Sequence, residues 1–334
     1  MIHPALRDLL QSLAHAPAFQ QLLRDLPEDR PGRLLLSGLS ATAKALYAVL
    51  LWHVLERPVV MITGGGREAE ALFETLSAFF ELLSARRSAG RPQLVPALDV
   101  LPGQGLSPHT EVSEQRAIGL WRLASERVPI TVAPVGAALV RTETPDFYRQ
   151  LALRLRVGDE VPLEALIEHL ESTGYGRREP VEMVGEYSVR GGIVDVFPPE
   201  SERPVRIELL GDQIESMRRF DVETQRSALK VEDCLLLPLV EVPRSRKILA
   251  ELYERLGREF VPHAEETFPG WEFLVPLVRS RNDSLLTVAW DAIVVWDEPE
   301  EVRGAAERLW KRLELAGSAL CPPEKLFLRF EELE

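Results

Sequence analysis

The chain has 334 residues, 46% of them hydrophobic and 27% charged, enough for two or three compact units with the balance of an ordinary folded protein. Its formal net charge of −13 argues against a general nucleic-acid surface, because DNA affinity rests largely on basic side chains that displace counterions. No apolar run reaches the roughly 20 residues of a membrane span, the first residues lack a signal-peptide pattern, and Cys234 and Cys321 are too few and too far apart for a metal site or disulfide framework, which together point to the cytoplasm.

In chain order, residues 1–27 read as an amphipathic helix or two, closed by Pro31-Gly32. From Arg33 short apolar runs alternate with helical patterns. RLLLSG (33–38), PVVMITG (58–64), QLVPAL (93–98) and VPITVAP (128–134) have the look of buried parallel strands, with helices such as ATAKALYAVLLWHVL between them. After Thr144 the texture changes. A helix, PLEALIEHLESTG, precedes strands with two-residue alternation. EYSVR and IVDVF are joined by Gly191-Gly192, and VRIELL and QIESM by Gly211-Asp212, which are hairpin signals because primed turns need positive φ. Beyond Pro238 helices return, together with two apolar runs, SLLTVAW (284–290) and AIVVW (292–296), that suit the parallel sheet. The expected organisation is a helical segment over 1–27, an α/β unit over 28–144, an inserted antiparallel α+β unit over 145–236, and residues 237–334 completing the α/β unit.

Gly38 to Ala45 matches the phosphate-binding loop pattern in part. Gly38 and Lys44 hold the right spacing, but the second glycine is Ala43 and the magnesium-binding hydroxyl is Ala45. A β-carbon crowds a turn whose N–H groups must face phosphates, and without the hydroxyl the metal loses a ligand. Asp297-Glu298, at the end of AIVVW, has the form of the metal-binding and catalytic carboxylates of a Walker B strand; taken alone, an ordinary strand end with two solvated carboxylates is the better reading, and it is the pairing with the incomplete loop that points to ancestry. The pair reads as a degenerate P-loop NTPase-like fold with no catalytic residue, no metal and no cofactor. Gly64-Gly65-Gly66 could receive an anion at a helix start, but a tight strand-to-helix turn is the simpler reading. The six histidines show no ligand spacing.

The segment GEYSVRGGIVDVFPPESERPVRIELLGDQIESMRRFDVETQRS, residues 185–227, resembles domain 2 of the UvrB repair proteins. FDVETQRS followed by LLLPLVEVP, and DVLPGQGLSPHTEVSEQRAIGLWRL at 99–123, resemble the N-terminal UvrB-homology module (domains 1a, 2 and 1b) of the transcription-repair coupling factor (Mfd) family still more closely. The likeness spans nearly the whole chain, and the segment at 99–123 has no room for UvrB's DNA-gripping hairpin. The resemblance implies an adaptor whose domain 2 binds UvrA and recruits excision repair to stalled RNA polymerase. It also implies that later domains of the full protein contact polymerase and DNA and act as an ATP-driven translocase, and that the UvrA surface folds back against the C-terminal part. For the UvrA surface it points to Arg190, whose partner arginine is Ser188 here. It points as well to Arg177 by ungapped spacing, with Arg178 able to take the same role, and to Phe197 as either interface or core.

An arginine beside a hairpin turn projects from a rigid scaffold, and its planar fork suits bidentate carboxylate contacts; a solvated loop arginine is the plainer alternative. The competing functions are an active ATPase or helicase domain, which would need the missing loop glycine and hydroxyl, and a UvrB-like DNA-damage binder, which would need the hairpin and a basic face.

Overall fold

The computed structural model describes residues 8, 10, 12–26, 32–83, 90–257, 267–316 and 320–333. Within the first 27 residues a 3-10 turn at Leu13–His15 leads into α1 (Pro17–Asp25), and the rest of the helical reading there lies outside the described residues. There follow α2 (Ala41–Leu55), β1 (Val59–Thr63), α3 (Gly66–Leu83), β2 (Gln93–Leu94), α4 (Thr110–Ser125), β3 (Ile130–Pro134), α5 (Val135–Ala138) and α6 (Pro145–Arg149). The next stretch holds β4 (Leu153–Arg156), α7 (Leu163–Ser172), β5 (Gly176–Arg177), β6 (Glu186–Arg190), β7 (Ile193–Val196), β8 (Val205–Leu210), β9 (Gln213–Phe220), β10 (Ser227–Val231) and β11 (Asp233–Leu236). The chain closes with α8 (Arg246–Arg255), a 3-10 turn at Trp271–Leu277, α9 (Leu285–Val288), β12 (Ile293–Trp296), α10 (Pro299–Ala316) and α11 (Phe330–Leu333).

The fold is mixed α/β. One sheet is parallel, in the order β12-β1-β3-β2, with Val59 to Ile62 paired to Ile293 to Trp296. Successive residues of a strand point to opposite faces, and β1 feeds two cores accordingly. Val59 and Met61 pack among α1, α2 and α3 through Phe19, Val49, Leu50 and Leu76, while Val60 and Ile62 pack with Trp271, Val302, Phe327 and Phe330. Burial on both faces is what makes such strands read as continuous apolar runs.

Three sequence readings are corrected here. RLLLSG is not a strand: residues 33–37 take no regular structure, and Leu34, Leu35 and Leu36 are 41%, 82% and 46% exposed. β12 is therefore left as the sheet edge, its residues only half-buried. QLVPAL contributes only the two residues of β2. SLLTVAW is not a strand either, because the Ser284 hydroxyl accepts the Thr287 N–H at 3.1 Å and caps the run as α9. Apolar runs this short carry no period that separates strand from helix.

The remaining strands lie between β3 and β12 in sequence. Six form a sheet in the order β10-β9-β8-β7-β6-β5, antiparallel except for β5 beside β6. One face is covered by α7, with Leu166, Leu170, Tyr187, Val194, Val196, Ile207 and Met217 in a shared core. Both hairpin turns form as read. Gly191 and Gly211 sit at φ +60° and +62° in the first turn position, where a left-handed conformation favours glycine. β4 and β11, the first and last strands of this stretch, pair with each other antiparallel, so the chain enters and leaves the antiparallel unit side by side.

A buried ionic knot ties that exit to the parallel unit. Arg116 of α4, 1% exposed, donates to Glu241 just past β11 at 2.8 Å and to the Pro96 carbonyl at 2.9 Å. Burial alone would raise the Glu241 carboxyl, but Arg116 and Arg281 beside it hold it below its ordinary value.

Candidate functional site

The two segments that the sequence reads as a degenerate nucleotide site meet in space. Gly38, at φ +79° with open space around it, leads from the irregular segment into α2. The Ser40 hydroxyl accepts the Ala43 N–H at 3.3 Å, so a donor that would face a phosphate is taken by the chain's own cap. Ala45 is fully buried in the core beneath α2. The Lys44 ammonium lies 2.6 Å from Asp297 and 2.5 Å from Glu298, across the end of β12. Partial burial pulls its pKa down, but hydrogen bonds and charge from the two carboxylates prevail and raise it above the usual lysine value. The lysine charge is thereby met by two carboxylates of the chain itself. At the glycine run, the Glu68 carboxylate lies 2.5 Å from where a β-carbon on Gly65 would sit, so an acid already occupies the start of α3. No group of three or more metal-ligating side chains gathers among the described residues.

The other candidate residues lie on the six-stranded sheet. Arg190 ends β6 at the Gly191-Gly192 turn, 46% exposed, and donates to Asp195 at 2.6 Å, with Glu179 3.8 Å away. Asp195 is 2% exposed and also accepts two bonds from Arg206, at 2.7 and 2.8 Å. That pairing comes first among the causes that raise Arg206 above its usual pKa. The Arg206 guanidinium also stacks 4.8 Å above the Phe220 ring. Arg190 is thus a tethered cation, oriented by a buried carboxylate, with part of its fork facing water.

β5 resolves the positions of the neighbouring pair. Arg177 is level with Tyr187, whose side chain faces the core side of the sheet. Arg178 follows with its N–H bonded to the Tyr187 carbonyl at 2.9 Å. Alternation places Arg178 level with Ser188, on the face that holds Arg190 and Asp195. Both arginines are exposed. Phe197 continues the β7 ladder, its N–H donating to Glu186 at 2.9 Å and its carbonyl accepting from Gly185 at 2.8 Å. Its side chain is half-buried and outside the apolar core clusters of the described residues. Sequence reasoning missed Asp195 and Arg206. The signal was there in IVDVF, where an acid interrupts an otherwise apolar strand and demands a buried partner.

A family model described as the UvrB interaction domain matches residues 153–241. The transcription-repair-coupling factor of Myxococcus xanthus is 30% identical over 346 residues, covering 94% of this chain and 28% of that protein. The factor of Mycobacterium tuberculosis (strain CDC 1551 / Oshkosh) is 31% identical over 328 residues, covering 90% of this chain and 25% of that protein. That of Escherichia coli (strain K12) is 29% identical over 340 residues, covering 94% and 28%. The chain therefore spans about a quarter of the length of these relatives.

Proposed function

Because the chain belongs to the transcription-repair-coupling-factor family, we propose that it is the protein-docking module of such a factor and performs no nucleotide chemistry of its own. Its partner is UvrA, engaged by the outer face of the six-stranded sheet at the β6–β7 hairpin. The observation that carries this is Arg190, held by buried Asp195 at the tip of a two-glycine hairpin inside the stretch matched as a UvrB interaction domain. A guanidinium fixed before binding loses little entropy on docking, which is how a few arginines come to dominate an interface. Arg178 shares that face and is the better second contact; Arg177 belongs to the α7 side, and Phe197 borders the hairpin.

The parallel sheet with its Lys44–Asp297–Glu298 cluster is a nucleotide fold turned to structural use, with the antiparallel unit inserted between its third strand and its edge strand. RNA polymerase and DNA are engaged by other parts of the full-length factor, in the cytoplasm, and the hairpin face is the surface such a factor would cover while idle. Co-elution of purified chain with UvrA on size exclusion tests the docking, and separate elution at micromolar concentrations contradicts it. Calorimetric titration with Mg-ATP tests the rest: no heat of binding is expected at micromolar nucleotide. Turnover that depends on Mg²⁺ and is lost in Lys44→Ala would overturn the non-catalytic reading.

A further inference from the structure

The outer face of the six-stranded sheet carries a row of positive charge, and the fold requires only part of it. Strand pairing sets Ser188 opposite Asp195, Asp195 opposite Arg206, Arg206 opposite Arg218 and Arg218 opposite Lys230. Directly paired residues share a face, so these five stand at one level, and Arg178 adds to the row at the β5 end. Asp195 accounts for Arg206 and Arg190. Past it, Arg218 and Lys230 are exposed, and neither forms an ion pair among the described residues.

Like charges directly opposite one another across a ladder are destabilising. Here Arg218 and Lys230 stand directly opposite one another on β9 and β10, beside an Arg206 whose charge Asp195 already meets. The chain has 52 acidic residues against 39 basic ones, so the composition does not force the arrangement. A local rule broken without gain to the fold is the mark of a functional surface.

We propose that the docking face runs from Arg178 and Arg190 across the sheet to Arg218 and Lys230, and that it receives an acidic strip of the partner protein. This rests on the docking reading above. With strands about 4.8 Å apart, the row from β5 to β10 is roughly 24 Å long, the scale of a protein interface and not of a single contact. A protein fits better than a nucleic acid, because Glu179 and Glu208 border the cations on or beside this face and would repel a phosphate backbone. A protein surface can supply donors to them.

The test is a titration of UvrA against the parent chain and four variants: Arg190→Glu, Arg218→Glu, Lys230→Glu, and Arg312→Glu on exposed α10 as a control for net charge. Arg218→Glu sets a carboxylate between Arg206 and Lys230, so it is expected to melt at or above the parent temperature while binding UvrA at least about fivefold more weakly. Lys230→Glu weakens binding in the same way, and Arg312→Glu stays within about twofold of the parent. Should Arg218→Glu fold poorly, Arg218→Gln removes the charge with less disturbance and carries the same expectation. The extended face is overturned if Arg218→Glu and Lys230→Glu bind as the control does while Arg190→Glu is weakened, an outcome that leaves the docking reading standing. If Arg190→Glu binds as the parent does, the docking reading falls and this inference with it. Loss of duplex DNA binding in Arg218→Glu with unchanged UvrA affinity makes the row a nucleic-acid surface and also overturns the proposal.

Discussion

Lys44 and Arg190 are both cations beside carboxylates, and their surroundings send them to different ends. Lys44 is one-fifth exposed and meets two acids, so its charge is spent inside the fold. ATP would have to displace both carboxylates, repel them, and do without the glycine turn and the hydroxyl ligand. Arg190 meets one buried acid that already has Arg206, and nearly half its side chain faces water. Arg190→Ala leaves Asp195 with its two Arg206 bonds, so no buried charge is stranded. An ion pair this exposed contributes about 0–1 kcal/mol, which predicts a melting point lower by no more than about 4 °C. A drop well beyond that in a thermal denaturation would mark Arg190 as a structural residue.

The β6–β7 hairpin owes its shape to two glycines with different duties. Gly191 supplies the left-handed φ of +60°. Gly192 supplies clearance: a β-carbon there would lie 2.6 Å from the Leu209 carbonyl oxygen, while its own carbonyl accepts the Leu209 N–H at 2.7 Å. Backbone cannot swing aside as a long side chain can. Gly192→Ala is therefore expected to cost about 1–3 kcal/mol, read as a lower urea midpoint, and to weaken partner binding by displacing Arg190. An unchanged midpoint would show that the hairpin relaxes freely. Legibility in the sequence followed the same local logic. The two hairpins, α7 and β12 were readable because period and turn chemistry are local signals. RLLLSG and SLLTVAW were not, because whether three leucines or an LLTV run are covered depends on neighbours distant in the chain. The cationic row was hidden for a stronger reason: Arg206, Arg218 and Lys230 become neighbours only once the register of three strands is fixed.

At the scale of the whole molecule, the antiparallel unit hangs from the parallel one by the β4–β11 pair and the Arg116–Glu241 knot. Arg116 is 1% exposed and the Glu241 side chain 11%, so truncating Arg116 leaves a largely buried carboxylate without its hydrogen-bonded cation. Arg116→Ala is expected to lose about 3–5 kcal/mol, whereas an apolar replacement of both partners should recover much of that loss. Equal melting points for Arg116→Ala and the parent would show that the knot holds nothing together. Such a junction fixes the six-stranded sheet to the parallel unit, as the proposed docking role requires.

The most direct measurement is a calorimetric titration of UvrA into the parent chain and into Arg190→Glu, with melting curves on the same samples. Reversal of a tethered hot-spot charge is predicted to weaken binding at least about tenfold, as truncation of such residues costs about 2 kcal/mol or more, with folding intact. Equal affinity of Arg190→Glu and parent, both folded, would contradict the account.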